Sequence, residues 1–227
     1  MVVKWGLVLL STIAFSAFAC RDAVVLVHGN TADPSSWDNT YNELLSRGYS
    51  KSEIFRPNWG SKSCAACNDH SGSEETPVRE AIQSALAQSC TGSIDVLGHS
   101  MGATLAAQQI SKLAVADRVE TFVGIAGAFR GLWTCGTYPF NVFSSTCGRY
   151  GLSVSSPFLD GIYGDQFGRH VYSIKSYSDQ IVCATGVCTV GGIHSSSIWY
   201  EDASYTYILG HFGLQTSTST KQVDLIQ

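Results

Sequence analysis

The sequence predicts an α/β fold: a mostly parallel sheet of about six strands with helices on both faces. Three observations predict it. Apolar runs rich in β-branched residues, such as Ala23-Val24-Val25-Leu26-Val27, read as strands buried on both faces. Amphipathic stretches of helical period separate them. Between two such segments, Ile94-Asp95-Val96-Leu97 runs into Gly98-His99-Ser100-Met101-Gly102, a Gly-x-Ser-x-Gly at a strand-to-helix junction.

At the start of the chain, Met1-Val2-Val3-Lys4 precedes an apolar stretch that ends in Ala17-Phe18-Ala19, an A-x-A cleavage pattern. Residues 1–19 therefore read as a secretory signal peptide and residues 20–227 as a single domain. A membrane anchor or buried helix is the competing reading, but the apolar run is short for a span. Cleavage before Cys20 also fits a lipid-modified cysteine, for which Ala17 is a poor match. After the first strand, His28-Gly29-Asn30 breaks the run, and Pro34 to Arg47 follows as a helix with Trp37, Tyr41, Leu44 and Leu45 on one face and Gly48 as its stop. Glu53 to Arg56 is a second strand ending at Pro57, and Ser61 to Glu75 is a polar loop. Thr76-Pro77 is expected to open the next helix, with Thr76 as N-cap, and Val78, Ile82 and Leu86 as its apolar face. Strand Ile94 to Leu97 and helix Ala103 to Leu113 flank the glycine–serine turn. Strands over Thr121 to Ala126, Val171 to Lys175 and Tyr205 to Leu209 follow, then a short helix near Thr220 to Ile226.

The chain has 227 residues, of which 14% are charged and 44% hydrophobic, with a net charge of −4. No basic stripe is present to grip a phosphate backbone, which argues against a nucleic-acid partner. No stretch after residue 19 is long and apolar enough to span a bilayer, and a monomer is expected. No Asn-x-Ser/Thr sequon occurs, so N-glycosylation is not expected.

All eight cysteines lie beyond the predicted cleavage point, and an even count in an exported chain argues for four disulfides. Proximity favours Cys135–Cys147 and Cys183–Cys188. Cys20 and Cys90 each stand just before a strand and would pair if those strands are parallel neighbours. That leaves Cys64 and Cys67, for which a metal or redox site with His70 is the alternative.

A serine hydroxyl attacks only when a base removes its proton, and the base needs a partner that fixes its tautomer. In doubly wound folds the order is Ser, Asp/Glu, His. Eight acids follow Ser100; Asp179, just past a strand, is the candidate, and Asp202 the runner-up. Of the later histidines, His211 lies past the last strand between glycines. His170 precedes its strand, and His194 is the competitor. His28, His70 and His99 are expected to be structural, with the His99 side chain pointing away from the turn. An oxyanion would take backbone N–H groups from Met101 and Asn30. Because that donor is main chain, Asn30→Ala is expected to be mild.

Four segments, Val25-Leu26-Val27-His28-Gly29-Asn30, Gly98-His99-Ser100-Met101-Gly102, Ser178-Asp179-Gln180-Ile181-Val182 and Gly210-His211-Phe212-Gly213-Leu214, resemble the landmarks of the class 2 lipases in order and spacing. That resemblance implies an α/β-hydrolase catalytic domain of minimal type with the triad Ser100, Asp179 and His211, oxyanion amides from Asn30 and Met101, and no metal or other cofactor. It implies a secreted enzyme of lipid degradation that cleaves carboxylic esters of the acylglycerol type, with transient contact to a lipid interface. Polyester depolymerase and thioesterase chemistry would use the same groups, and a non-catalytic binding protein on this scaffold is the reading from another class. The chain departs from the minimal bacterial members at Cys64 to His70 and from Gly127 to Arg169. The second segment holds Phe129, Trp133, Tyr138, Phe140, Phe143, Tyr150, Phe158, Tyr163 and Phe167, which would form either an apolar wall or lid for an acyl chain or a small core of their own.

Overall fold

The computed structural model describes residues 20–227, so the signal-peptide expectation for residues 1–19 lies outside the described residues. Strand β1 (Ala23–Val27) leads through a short 3₁₀ turn at Pro34–Trp37 into helix α1 (Asp38–Ser46) and strand β2 (Ile54–Phe55). Helix α2 (Glu75–Gln88), strand β3 (Ile94–His99), helix α3 (Met101–Leu113) and strand β4 (Val119–Ile125) follow. Helix α4 (Pro157–Gly161), strand β5 (His170–Lys175), the hairpin of β6 (Thr189–Val190) and β7 (Ile193–His194), strand β8 (Ala203–Thr206), helix α5 (His211–Thr216) and helix α6 (Ser219–Asp224) complete the chain.

Six strands form one sheet in the order β2-β1-β3-β4-β5-β8, and every neighbouring pair is parallel. Parallel strands need crossovers, and α1, α2, α3, the long segment through α4 and the segment through the β6–β7 hairpin supply them in chain order. The alternation of side chains along β1 splits the core in two. Val25 and Val27 pack with Val78, Ile82 and Leu105 on one face, and Val24 and Leu26 pack with Trp37, Leu44 and Val223 on the other. The order reverses between β1 and β3, and in open parallel sheets the crevice beyond the strand ends at such a reversal is where ligands bind.

Several boundaries differ from the sequence expectation. The first helix begins as a 3₁₀ turn capped by the Asp33 side chain, and becomes α-helical only from Asp38. Helix α2 starts at Glu75 rather than after Thr76, because a 3₁₀ turn over Gly72–Glu74 leads straight into it. Pro77 still falls in the first turn, where its missing N–H costs no hydrogen bond. The last sheet strand is Ala203–Thr206, not Tyr205 to Leu209. It is an edge strand with alternating partial burial, and the apolar residues that suggested a later strand include Ile208, which is fully outside. Helices α4 and α5 and the hairpin are too short to leave a periodic signal.

Cys20 pairs with Cys90, Cys64 with Cys67, Cys135 with Cys147 and Cys183 with Cys188. The first bond follows from register: Ala23 of β1 lies beside Ile94 of β3, so the residues just upstream of the two strands meet. Among the described residues no helix is long and apolar enough to cross a membrane.

Of the aromatic residues between Gly127 and Arg169, Phe129, Phe158 and Phe167 are buried, and Phe129 and Phe167 pack with Phe122 of β4. Phe140 and Phe143 are 93% and 105% exposed. The segment thus supplies both a satellite core and an outward apolar rim.

Candidate active site

Ser100 stands between β3 and α3 with φ 55° and ψ −131°, a backbone conformation that L residues other than glycine rarely adopt. Holding it there costs on the order of 1–3 kcal/mol. The chain around it is tight enough to enforce the conformation. A Cβ on Gly102 would stand 2.1 Å from the His28 carbonyl oxygen, and one on Gly98 would stand 2.4 Å from Ala103 Cα. The Ser100 N–H donates to the Ile125 carbonyl at 2.8 Å, tying the turn to β4.

Ser100 Oγ lies 2.8 Å from His211 Nε2, and His211 Nδ1 lies 2.8 Å from Asp179 Oδ2. The carboxylate can only accept, so Nδ1–H donates to it and the Nε2 lone pair faces the serine hydroxyl. Both partners are buried. Burial pushes the Asp179 carboxyl up, but the hydrogen bond and charge of His211 and the Val182 and Ile181 amides outweigh it and leave its pKa below the ordinary carboxylate value. Those two amides donate to Asp179 Oδ1, each at 2.8 Å.

His211 opens α5, where a backbone N–H has no intrahelical acceptor. The side chain of Gln180 accepts that N–H at 2.8 Å. His99 Nε2–H donates to the His211 carbonyl at 3.1 Å, and the two rings stand 4.8 Å apart. The His99 side chain makes no hydrogen bond to Ser100, and it belongs instead to the support of His211. It lies behind His211, and burial lowers its pKa to about 3, so it remains neutral. Gln180 and His99 together clamp the His211 backbone. Sequence position alone left Gln180 unremarked, although it adjoins Asp179.

The other candidates lie elsewhere. Asp202 Oδ2 accepts the Val171 N–H at 2.7 Å, at the opposite end of β5 from Asp179. His170 is exposed at that same end. His194 Nε2–H donates to the Ser176 carbonyl and its Nδ1 accepts from the Ser196 N–H, both at 3.1 Å, so both ring nitrogens are occupied. His70 is buried, stacked on Phe158, with Nδ1–H on the Tyr150 carbonyl and Nε2 facing the Thr104 hydroxyl. It bolts the long segment to α3. Cys64 and Cys67 are joined to each other, which removes them as metal ligands. His28 stacks on Trp59, donates from Nδ1 to the Gly29 carbonyl, and is held at a pKa of about 4 by burial.

Asn30 follows β1 at the reversal of strand order, and Met101 is the first residue of α3. The Asn30 side chain is not idle. Its Nδ2 donates to the Ala65 carbonyl at 2.9 Å, and its Oδ1 accepts from Asn68 Nδ2 at 2.6 Å. Asn68 is buried and also spans Ser61, accepting its N–H at 2.7 Å and donating to its carbonyl at 2.9 Å. The Thr146 hydroxyl lies 2.5 Å from the Ala65 carbonyl and 2.6 Å from the Asn68 carbonyl. The expectation that Asn30→Ala is mild is therefore revised: the side chain anchors its own loop.

A family model described as Lipase (class 2) matches residues 21–224. No curated protein matches the chain. Among solved structures, Aspergillus fumigatus lipase B superposes with a TM-score of 0.62 at 16% identity, over 88% of this chain and 51% of that one, so the chain spans about half the length of that lipase. The mature form of Bacillus licheniformis lipase BlEst2 gives a TM-score of 0.62 at 12% identity, covering 90% of this chain and 91% of that one. An extracellular α/β-hydrolase from a Paenibacillus species gives 0.55 at 14% identity, with 90% and 98% covered. At such identities the likeness speaks for the fold, which is that of the α/β-hydrolases.

Proposed function

The chain belongs to the class 2 lipase family, and from that membership we propose that it cleaves carboxylic esters of the acylglycerol type through an acyl-Ser100 intermediate. The observation that carries the reading is the unbroken line of hydrogen bonds from Asp179 through His211 to Ser100 Oγ. As the hydroxyl oxygen attacks the ester carbonyl carbon, its proton passes to His211 Nε2. Asp179 holds the ring and stabilises the imidazolium that forms. The negative charge on the former carbonyl oxygen falls to the backbone N–H groups of Asn30 and Met101. Collapse of the intermediate breaks the bond to the alcohol, which takes the proton from His211. A water molecule then repeats the sequence on the acyl-serine and releases the acid.

Outward apolar residues support an acyl substrate. Phe140, Phe143 and Ile208 are exposed, and Phe212 stands edge-on to the His211 ring at 5.4 Å. The complete use of eight cysteines in disulfides supports export to an oxidising compartment, and removal of residues 1–19 is part of the proposal.

A fluorophosphonate probe tests the nucleophile directly. The wild-type chain is expected to label, and Ser100→Ala to abolish labelling. His211→Ala should cut hydrolysis of p-nitrophenyl esters about 10⁴-fold or more, while His194→Ala should retain most of it. Folded wild-type protein that resists the probe would overturn the assignment. A panel of short esters against emulsified triglyceride then reads the substrate class.

A further inference from the structure

The turn that carries Asp179 is held by a closed ring of contacts, and one link of that ring is open to chemistry. Strand β5 ends at Lys175, and the chain from Ser176 to Cys183 folds back so that the Ile181 and Val182 amides reach Asp179 Oδ1. Upstream, the Ser176 carbonyl accepts from His194 Nε2–H at 3.1 Å, and the Tyr177 ring meets the His194 ring edge-on at 4.9 Å. Downstream, the Cys183 N–H donates to the Asp179 carbonyl at 2.9 Å, and the bond to Cys188 carries the hold toward the segment that bears His194. The Ser195 N–H closes the ring by donating to the Cys188 carbonyl at 2.8 Å.

The disulfide is the covalent cross-link in this ring, and it is placed to exchange. Cys183 and Cys188 both keep part of their surface in solvent, whereas Cys135 and Cys147 are buried. The bridge closes only the exposed stretch from Ala184 to Val187, so opening it frees a short loop rather than the fold. It also lies directly against the acid turn. Cys183 Sγ is 3.6 Å from the Ser176 carbonyl oxygen and Cys188 Sγ is 3.8 Å from that of Tyr177. Both sulfurs and a His194 ring nitrogen lie within 4.8 Å of one another. Two thiol sulfurs cannot stay at bonding distance, so on reduction they move apart against the ring and the carbonyls that hold the turn. The other bridges are placed differently: Cys64–Cys67 adjoins Asn30, and Cys20–Cys90 lies at the far ends of β1 and β3.

We propose that Cys183–Cys188 is an exchangeable bridge that positions Asp179, and that its reduction slows the triad reversibly. The inference rests on the catalytic reading above and adds a control to it. A dithiol supplies the electrons. One of its thiolates attacks one sulfur of the bridge, the S–S bond breaks, and the other sulfur leaves as a thiolate that takes up a proton. The second thiol of the reagent then displaces the attacked protein sulfur, leaving two protein thiols and a cyclic, oxidised reagent. Asp179 loses the brace behind its two amide donors and no longer fixes the His211 ring in one orientation. Abolishing that role costs about 10⁴-fold in kcat in a serine protease, and loosening it here should cost about tenfold.

Titration of the wild-type protein in dithiothreitol buffers of graded redox state tests the proposal. The same samples are read for kcat and KM on a p-nitrophenyl ester and for alkylated thiols located by mass spectrometry. Cys183 and Cys188 should become alkylated before Cys135 and Cys147, with kcat falling about tenfold in step and KM changing less than about twofold. Reoxidation should restore kcat. Cys183→Ser combined with Cys188→Ser should show the lowered kcat from the outset and lose the response to dithiol. Cys64→Ser combined with Cys67→Ser should keep that response. Alkylation of Cys183 and Cys188 without a fall in kcat overturns the proposal. So does a bridge that stays closed until the protein unfolds, or a response that survives replacement of both cysteines. These outcomes leave the catalytic reading standing. Oxidised wild type that exchanges the bridge but neither labels with a fluorophosphonate nor turns over ester would overturn that reading, and the control with it.

Discussion

Replacing Asn68 by alanine is expected to slow turnover, although its side chain forms no hydrogen bond to Ser100, His211 or Asp179. Its amide orientation is fixed by backbone groups: the Ser61 N–H can only donate and the Ser61 carbonyl can only accept, so Nδ2 must face Asn30 Oδ1. Asn68→Ala deletes all three bonds at a buried position. At about 1 kcal/mol net for each bond, and more for any group sealed from water, the loss is roughly 3–5 kcal/mol. That is a large share of the 5–15 kcal/mol typical of a domain, but the four disulfides keep the unfolded chain constrained. The Asn30 side chain then retains only its bond to Ala65, and the main-chain N–H proposed as the oxyanion donor is free to drift. Complete loss of such a donor costs about 10²- to 10³-fold in kcat, and partial loss here should cost about tenfold or more. The effect should fall on kcat and kcat/KM alike, because the interaction exists only in the transition state. Asn68→Asp sharpens the test. It keeps the acceptor for the Ser61 N–H and turns a second acceptor toward Asn30 Oδ1, so it should harm turnover with a nearly isosteric side chain. The assay pairs p-nitrophenyl ester kinetics with guanidinium unfolding and fluorophosphonate labelling, which should persist in both variants. A variant destabilised by several kcal/mol whose kcat stays within about twofold of wild type would refute the role given to Asn30.

Two further outcomes concern stability and pH. Burial lowers the pKa of His28 to about 4, of His70 and His99 to about 3, and of His194 below its ordinary value. The unfolded chain, with values near 6.5, therefore binds these protons first as pH falls. The buried Asp95 opposes this by keeping a proton in the folded state. Stability is therefore expected to fall as pH drops from about 6 toward 4, because the unfolded chain takes up imidazole protons that the folded chain refuses. Guanidinium midpoints measured across that window would show it, and a flat profile would rule out neutral buried imidazoles. Burial, then the charge of Asp22, raises the Asp95 pKa well above the usual carboxylate range, and its Oδ1 has no partner among the described residues. The cost of this acid appears as pH rises through the unfolded value near 4 and grows up to the folded value. Asp95→Asn should thus be close to neutral near pH 4 and stabilising at pH 8 by unfolding midpoint. A destabilised variant at pH 8 would contradict a carboxyl whose charged form is disfavoured by burial.

The parts of the fold that were legible in the sequence are those where one residue type repeats a single physical demand. The run from Ala23 to Val27 is buried throughout because both sheet faces are covered, and its composition says so directly. The strand–serine–helix turn is legible because Gly98 and Gly102 stand where any Cβ would meet backbone. Short elements were not legible. Helix α5 has six residues, too few for a period to show, and its glycines read equally well as loop. The aromatic residues from Gly127 to Arg169 pose a different problem. Phe129 and Phe140 have the same chemistry, and only the path of the backbone sends one into the core and the other into water. The supporting hydrogen bonds were least visible of all. Asn68 and Thr146 lie 38 and 116 positions from Asn30, and isolated polar residues in loops carry no pattern that predicts whom they meet.

The cysteines supply what the strands do not. Strands β1 and β3 are laid side by side by their own ladder, and Cys20–Cys90 ties their upstream ends while Asn30 and Ser100 follow the opposite ends. In the chain-entropy account a closed loop of 70 residues is worth about 4 kcal/mol, whereas closures of 3 and 5 residues are worth roughly half that. Stability alone is therefore a weak reason for the short bonds, and their neighbours suggest a better one. Cys64–Cys67 encloses Ala65, whose carbonyl receives both Asn30 and Thr146. Cys135–Cys147 ends one residue after Thr146. Cys183, whose N–H donates to the Asp179 carbonyl at 2.9 Å, closes the turn that presents the Val182 and Ile181 amides to the Asp179 carboxylate. Each short bridge stiffens a loop within a residue or two of a hydrogen bond that the site depends on. Loops otherwise carry the low-stability end of a domain, and a site assembled from loops needs such bracing more than the sheet beneath it does.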